Sequence, residues 1–268
     1  MTVIVYDHPL SPYAQKVKIA LSEKGVDFET SLPAAIGSGV STGEFARTSP
    51  RGEVPALVDE DGTRVFDSSI ILQYAEERWP DPPLLPATPA ERARVRMLED
   101  VMDTHFEAIT WGLAEIEYFG RASGELAAQM KEGAARQLDG WFGWLECRLG
   151  ERPWFNGADF GWGDLCVAPF LNGAAGFGHL PQGALGDWQR RVNQRESVAA
   201  CVAAALSASA ESSGIGLDQV RVALDQGLFK REYRDHRLEW MIKTGGLRVV
   251  EQGLAKRNIR FTPPFGHG

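Results

Sequence analysis

Cysteine is scarce in this chain of 268 residues: Cys147, Cys166 and Cys201 are widely spaced, odd in number and form no CxxC or His-flanked set. A disulfide scaffold and a zinc site are both poor readings of that pattern, so the expectation is a reduced, cytoplasmic protein with buried free thiols and no metal. Long apolar runs are missing too. No stretch approaches the roughly 20 residues that a membrane-crossing helix needs, so no membrane partner is expected. The opening MTVIVYDHPL has no basic segment ahead of a long apolar run, and it is not expected to be a signal peptide. Positive charge is also in short supply. A formal charge of −8 argues against nucleic acid, whose phosphates require clustered cations. Hydrophobic residues at 44% and charged residues at 24% are enough for a buried core and exclude wholesale disorder.

What is present divides along the chain. Thr2–Asp7 (TVIVYD) is a β-branched run of strand length stopped by His8-Pro9. Ser11-Pro12 then opens a helix, serine at the N-cap and proline at the first helical position, where its missing N–H costs nothing. Val17, Ala20 and Leu21 recur at helical spacing, and Gly25 closes the element. Val26–Thr30 reads as a second strand, and Ser31–Thr48 holds at most one short helix around Gly43–Arg47. Val54–Val58 and Thr63–Phe66 form a strand pair joined through a turn containing Asp61-Gly62. Asp67-Ser68 caps a helix that runs to Trp79 before Pro80. The order β-α-β-(α)-β-β-α within eighty residues implies an α/β sandwich.

Asp81–Pro89 (DPPLLPATP) carries four prolines and reads as a stiff linker. Beyond it the pattern is helical: Glu91–Tyr118, Leu126–Arg148, a buried helix over Asp164–Leu171 and a further pair within Trp188–Ala208. The expected division is 1–80, a linker 81–89, an all-helical domain 90–212, and an extension 213–268. That extension carries ten Lys/Arg against six acids from Ile215 onward, about +4, which leaves −12 for the first 214 residues. Apolar residues interleave through it at helical spacing (Leu224, Leu228, Tyr233, Leu238, Trp240, Met241), so a packed, basic, helical extension is expected.

Ser11 admits two readings from the residues alone. Its identity is explained by capping. A hydroxyl at the mouth of a helix also favours an anion, since unsatisfied N–H groups and the helix dipole point there. A thiol, with a reference pKa near ~8.5, reacts as its thiolate, so such a position suits thiolate activation. Tyr6 and Tyr13 are further hydroxyl donors in reach along the chain. Pro55 is either a strand-opening proline or a cis one, because an X-Pro bond is held cis for only about 0.5–1 kcal/mol. Asp67-Ser68 is a cap that can equally receive a carboxylate.

The set Ser11-Pro12-Tyr13…Lys16-Val17, Glu53-Val54-Pro55 and Asp67-Ser68-Ser69-Ile70, followed by a helical domain, resembles the cytosolic glutathione S-transferase superfamily over about residues 1–210. The helix start is most similar to the serine-type and omega-like classes. The resemblance implies a thioredoxin-like α/β domain followed by an all-α helical bundle, with glutathione as co-substrate. It implies that Ser11 activates the thiolate and that Pro55 is cis. The cofactor-binding set would be Ser11, Arg51, Glu53, Val54, Pro55, Asp67 and Ser68. The backbone of Val54 would pair with the cysteinyl part, and Asp67-Ser68 would hold the γ-glutamyl end. Asp67 stands where the family more often has glutamate. Arg51 or Arg47 would meet the glycyl carboxylate; the spacing does not choose.

The electrophile pocket is expected between the domains, from Leu10, Tyr13, His105, Phe106 and Ile109, with Trp111, Leu113 and Tyr118 on the same helix. Asn156–Asp164 is similar to the family's buried N-capping box, with Gly161 in place of Ser or Thr, and Asp164 is read as structural. The implied function is a detoxifying transferase that attacks a small, hydrophobic electrophile, acting as a homodimer. A glutathione-dependent isomerase, ether-cleaving lyase or dehalogenase stands beside it, as does a non-catalytic adaptor. Serine at position 11 disfavours a disulfide reductase. The basic extension covers the cleft, widens a subunit interface, or packs outside as a solvated pair of helices.

Overall fold

β1 (Val3–Tyr6) lies inside the sheet because its neighbours on both sides are built to pair with it. It buries Val3 and Val5 on one face and leaves Ile4 and Tyr6 half-buried on the other. β2 (Phe28–Ser31) runs parallel to it, and β3 (Ala56–Val58) antiparallel. β4 (Arg64–Phe66) closes a four-stranded sheet of order β2-β1-β3-β4. Between β1 and β2 runs α1 (Pro12–Glu23), and after β4 comes α3 (Ser68–Arg78); the short α2 (Gly43–Thr48) precedes β3. This computed structural model describes residues 2–34, 36–38, 42–212 and 215–261; residues 213–214 and 262–268 of the expected extension lie outside the described residues.

The second part is helical: α4 (Pro89–Val101), α5 (Glu107–Glu117), α6 (Gly124–Leu149), α7 (Trp162–Gly176), α8 (Gly183–Val192) and α9 (Glu196–Ser212). The architecture is thus a thioredoxin-like α/β domain followed by an all-α bundle. α1 packs against α3 and also against α7 and α9, so the helix that Ser11 caps is wedged between the two parts. α7 is buried along most of its length and has Gly161 as its N-cap. Asp164, three residues on, accepts hydrogen bonds from the N–H groups of Gly161 (3.2 Å), Phe155 (2.8 Å) and Asn156 (3.3 Å), and from Trp188 Nε1 (2.8 Å). One buried carboxylate therefore replaces four missing partners, which is the structural duty the sequence assigns to it.

Two expectations need correction. The single helix over Glu91–Tyr118 is interrupted by a π-helical turn, Met102–Phe106. One extra residue per turn rotates everything after it by about 100° relative to an unbroken helix, so the buried face shifts. The extension is not wholly helical. It comprises α10 (Ile215–Asp225), α11 (Asp235–Lys243) and α12 (Leu247–Ala255), with a parallel strand pair between β5 (Arg231–Glu232) and β6 (Ile259–Arg260). Two-residue strands are too short to show any alternation in sequence.

The extension is seated in the body. Tyr233, Trp240, Met241 and Val249 join the main hydrophobic core. Trp240 occupies the space above Gly112 of α5, where a Cβ would lie 2.1 Å from a ring carbon. An alanine in a helix gains up to about 1 kcal/mol over glycine, whereas forcing apart a close-packed contact costs roughly 1–3 kcal/mol. Packing wins here, so Gly112→Ala is expected to destabilise the protein and to loosen α11, seen as faster proteolysis beyond residue 212. Asp164→Ala should lower stability by roughly 3 kcal/mol or more, measured by denaturant unfolding, because it strands several buried donors together.

Candidate active site

Strand register brings the motifs together. Tyr6 pairs with Ala56 and Ala56 with Phe66, so these three residues form one row across β1, β3 and β4. At about 4.8 Å between strands, that row spans only about 10 Å. The chain leaves it at one end toward Ser11, enters it from Val54-Pro55, and leaves it again into Asp67-Ser68. Segments up to 57 residues apart in sequence thus meet at one sheet end.

Ser11 has extended backbone angles (φ −81°, ψ 112°), and its Oγ accepts from the Ala14 N–H at 3.3 Å. Accepting that bond leaves its own O–H free to donate to an anion in front of the helix. The preceding loop is held by Ser11 N–H to the His8 carbonyl (2.8 Å), Leu10 N–H to His8 Nδ1 (3.2 Å) and Gln15 Nε2 to the Pro9 carbonyl (2.7 Å). Burial pushes the His8 imidazole below its ordinary pKa and outweighs the nearby Asp7; Arg231 and Lys18 add to the lowering.

The Val54–Pro55 peptide bond is cis, as is Asp81–Pro82 in the linker, which the sequence reading does not anticipate. Asp67 sits at φ 77°, in the region that favours glycine, and its carboxylate accepts from the N–H groups of Ser69 (3.1 Å) and Ile70 (3.4 Å). A non-glycine residue held there is strained, and such strain clusters at functional sites. Ser68, buried at the first position of α3, has its N–H outside that cap. Arg51 bonds Asp67 Oδ2 at 3.2 Å and stacks over Phe66, which puts it at the Asp67-Ser68 end of the row rather than the end expected of a partner for the glycyl carboxylate. Arg47 is exposed and paired with Glu44, away from these groups.

Glu53 is held by Ser49, whose hydroxyl bonds both its carbonyl (2.8 Å) and its N–H (3.1 Å). Its side chain meets Arg234 of the extension at 3.4 Å and the carboxyl of Glu232. Burial, reinforced by Glu232, pushes Glu53 up to about 8 against the opposing pull of Arg234 and Arg260.

The other pocket residues are scattered. Leu10 is exposed at the mouth of the loop. Tyr13 is turned inward: its hydroxyl donates to the Asp103 carbonyl at 2.5 Å and its ring packs edge-on against Phe170. Burial holds that phenol well above its usual pKa, and its hydrogen is engaged by the Asp103 carbonyl. Phe106 and Ile109 are fully buried core residues, and His105 is exposed and stacked on Trp141. The π-helical turn explains this, because it displaces their faces from those of a continuous helix. Two surface hollows, of about 250 and about 360 Å³, are lined by the set around Gln129 and Thr244 and by the set around Asp218 and Val222; neither set includes Ser11.

Several groups escape sequence reasoning. Lys16 is fully buried and bonds Glu99 (2.9 Å) and Asp103 (2.5 Å), while Ser69 and Trp162 Nε1 also donate to Glu99. On α5, Glu107 is gripped by Arg237 (2.6 and 3.0 Å) and His236 (3.1 Å), and Glu115 by Arg231, Arg121 and the Tyr233 hydroxyl. Burial alone would raise the Glu107 carboxyl, but Arg237 and His236 bring it down to about 2. The available signal was two glutamates set in the apolar run of α5. Among the described residues no group of three or more His, Cys, Asp or Glu is placed to hold a metal ion.

Residues 10–78 match the family model described as glutathione S-transferase, N-terminal domain. The stringent starvation protein A homolog of Coxiella burnetii is 29% identical over 215 residues, covering 79% of this chain and 96% of that protein. Glutathione S-transferase U28 of Arabidopsis thaliana is 31% identical over 176 residues, covering 63% of this chain and 71% of that one. A glutathione S-transferase structure from Methylobacterium radiotolerans, in complex with glutathione sulfonate, has a TM-score of 0.61 and 29% identity. It covers 75% of this chain and 95% of its own, so a quarter of this chain has no counterpart in it.

The raised Glu53 carboxyl sets a pH dependence. The folded chain binds a proton there between the ordinary value of 4.5 and about 8, a range in which the unfolded chain releases it. Its contribution to stability is therefore full below pH 4.5 and is lost as pH rises through about 8. Glu53→Gln should flatten this loss. In thermal unfolding at pH 8.5 the variant should melt roughly 2–4 °C or more above the parent, the shift that about 1 kcal/mol gives in a chain of this size, and the gap should close at pH 5.

Proposed function

The chain belongs to the glutathione S-transferase superfamily, and on that premise we propose that Ser11 activates the glutathione thiolate for attack on a small electrophile. The chain is a glutathione-dependent transferase. The observation that supports the assignment of residues is the row Tyr6–Ala56–Phe66, from which the chain runs on to Ser11, into which it enters from Val54-Pro55, and from which it leaves into Asp67-Ser68.

The chemistry follows from those groups. The Ser11 hydroxyl, already accepting from Ala14, donates to the sulfur, and the N-terminus of α1 adds a positive potential. Both favour the thiolate over the thiol, whose proton passes to solvent. The sulfur then bonds to the electrophilic carbon. The electron pair leaves with a departing group in a displacement, or moves onto the acceptor and takes up a proton in an addition. The backbone of Val54, exposed by the cis bond, pairs with the cysteinyl part. Asp67 faces the γ-glutamyl ammonium, and the Ser68 N–H and hydroxyl its carboxylate, with Arg51 steadying Asp67. Glu53, Val54 and Pro55 shape the middle of the site.

Residues 1–80 are the proposed cofactor-binding unit and 90–212 the proposed substrate unit, joined by the linker 81–89. A two-fold homodimer is proposed on family likeness. A cytoplasmic setting is proposed on the three free cysteines, two of them buried. Among the described residues no single helix is long and apolar enough to cross a membrane.

Ser11→Ala should lower kcat/KM for thiol transfer by roughly 100-fold, the usual effect of removing a donor to a developing or stored anion, while glutathione still binds. Unchanged turnover across several electrophiles would remove Ser11 from the sulfur. Ser11→Cys should shift activity toward thiol–disulfide exchange. Glutathione at 100 times its Kd should protect against thermal unfolding by about 2.7 kcal/mol; absence of protection would favour the adaptor reading.

A further inference from the structure

The C-terminal extension reaches back to the turn that leads into the cis proline. Residues 49–53 close on themselves: Gly52 sits at φ 66°, its N–H donates to the Ser49 carbonyl at 2.9 Å, and the Ser49 hydroxyl bonds both backbone groups of Glu53. Arg260 fastens that turn from outside, donating to the Arg51 carbonyl at 3.3 Å. The same guanidinium pairs with Glu232 at 3.0 Å, and the two residues stand opposite one another in the β5–β6 pair. Arg234 links Glu232 (2.8 Å) to Glu53 (3.4 Å), which completes a closed circuit between the extension and residues 51–53. β5 runs on into Tyr233, whose hydroxyl donates to Glu115 of α5 at 2.6 Å, so the circuit is anchored on the helical part.

Within this circuit two carboxyls share one guanidinium. The side chains of Glu53 and Glu232 are 21% and 8% exposed. Among the described residues Oε1 of Glu53 is buried and has no hydrogen-bond partner. As a carboxylate it would be a buried acceptor without a donor; as an acid, Glu53 donates to Glu232 instead. Two like charges in one half-buried site favour a single retained proton. The charged groups around Glu53 are Glu232, Arg234 and Arg260, with Arg237 acting on Glu232 and Asp235 4.0 Å from Arg234. On the turn's own side Arg51 is engaged with Asp67. Burial outweighs the arginines at Glu53, which therefore carries the proton at neutral pH. Against its own burial, Glu232 is held below the ordinary carboxyl range by the hydrogen bond from Glu53 and by Arg237, Arg260 and Arg234.

We propose that Glu232 and Arg260 of the extension are positioning residues for glutathione: through the Glu53 carboxyl and the Arg51 carbonyl they hold the backbone of Val54 where it meets the cysteinyl part, and one proton shared by Glu53 and Glu232 closes the connection. The inference rests on the role given to Val54-Pro55 above. It makes the extension a support of the cofactor site without requiring that it touch the tripeptide.

The probe is S-methylglutathione, which keeps the tripeptide and lacks the titrating thiol, and the readout is its Kd by calorimetry from about pH 5.5 to about pH 8.5. Releasing the turn returns Glu53 toward its ordinary value of 4.5, whereas the closed circuit holds the proton up to about 8. Closure is therefore strongest at low pH and weakens as pH rises toward 8, by at most about tenfold per pH unit for one proton. In the parent protein Kd should rise roughly threefold or more across that range. Glu53→Gln, an amide that still donates to Glu232 but has no proton to lose, should flatten the rise. Glu232→Gln should reduce it, because Glu53 then has no second carboxyl beside it. Other groups that titrate in this range are common to parent and variants and cancel in the comparison. Arg260→Gln should raise Kd at low pH by roughly threefold or more, through the loss of its contacts to Arg51 and Glu232. If Glu232→Gln does not fold, Glu53→Gln decides the matter. A parent Kd constant over the range, or the same rise in Glu53→Gln, overturns the inference, and a Kd of Arg260→Gln equal to the parent's removes the positioning role of Arg260. A parent that binds the probe at no pH overturns the reading of Val54-Pro55 as a glutathione contact, and this inference with it.

Discussion

Lys16 carries a positive charge into the interior with none of its side chain exposed, and the junction of the two parts is arranged around neutralising it. Leaving an ammonium unpaired at such a site costs several kcal/mol, so its partners cannot be casual. Glu99 and Asp103 come from α4 and the π-helical turn, and Ser69 from the first turn of α3. Burial works against the charged lysine, yet the two carboxylates outweigh it and hold its pKa above the ordinary value. One ammonium does not satisfy two buried acids equally: Glu99 is held below the ordinary range while Asp103 is pushed up by burial to about 6. The pairing fastens α1, whose N-terminus carries Ser11, to the helical part. The Tyr13 hydroxyl on the Asp103 carbonyl makes the same connection two residues from Ser11. The thiolate activation proposed for Ser11 depends on where that helix points, so on that proposal the buried charge sets the geometry of a site it does not touch.

A second set of buried charges does the corresponding work for the extension. Glu107 and Glu115 stand in a helix otherwise rich in apolar side chains, and residues 231–237 bring partners to both, beside Arg121 at Glu115. Gly112 lies between them and admits the Trp240 ring. These three residues of α5 have their reason in a segment more than a hundred positions away. The cationic excess of that segment, set against the acidic body, is matched by specific pairs rather than by a diffuse attraction, which is why the extension packs as a wall.

The local signals were legible because each is satisfied within a few residues. Ser11-Pro12 and Asp67 cap helices through their own next turn. β1 shows itself as a β-branched run of strand length, and the Asp61-Gly62 turn supports the β3–β4 pair. The capping role of Asp164 was legible in part, from its place three residues into α7, although Trp188 as its fourth partner was not. Phe106 and Ile109, expected on the electrophile-facing side, are buried in the core, and a single π-helical turn leaves no mark in a pattern read at 3.6 residues per turn. Tyr13 was misplaced for another reason: whether a half-polar ring turns inward depends on a carbonyl ninety residues later.

By itself, then, the sequence determined the order of strands and helices in the first eighty residues, the helix that Ser11 opens, the proline that precedes β3, and the family likeness carried by three short motifs. These are matters of backbone propensity and capping, whose energies are set by near neighbours. Only the tertiary structure decided that Arg51 steadies Asp67, that Glu53 faces Glu232 and Arg234, and that Arg231 and Arg237 of the extension pair with Glu115 and Glu107 of α5. Charge pairs between distant segments have no periodicity to read. Each arginine is a solvated surface residue until the fold brings a buried carboxylate to it.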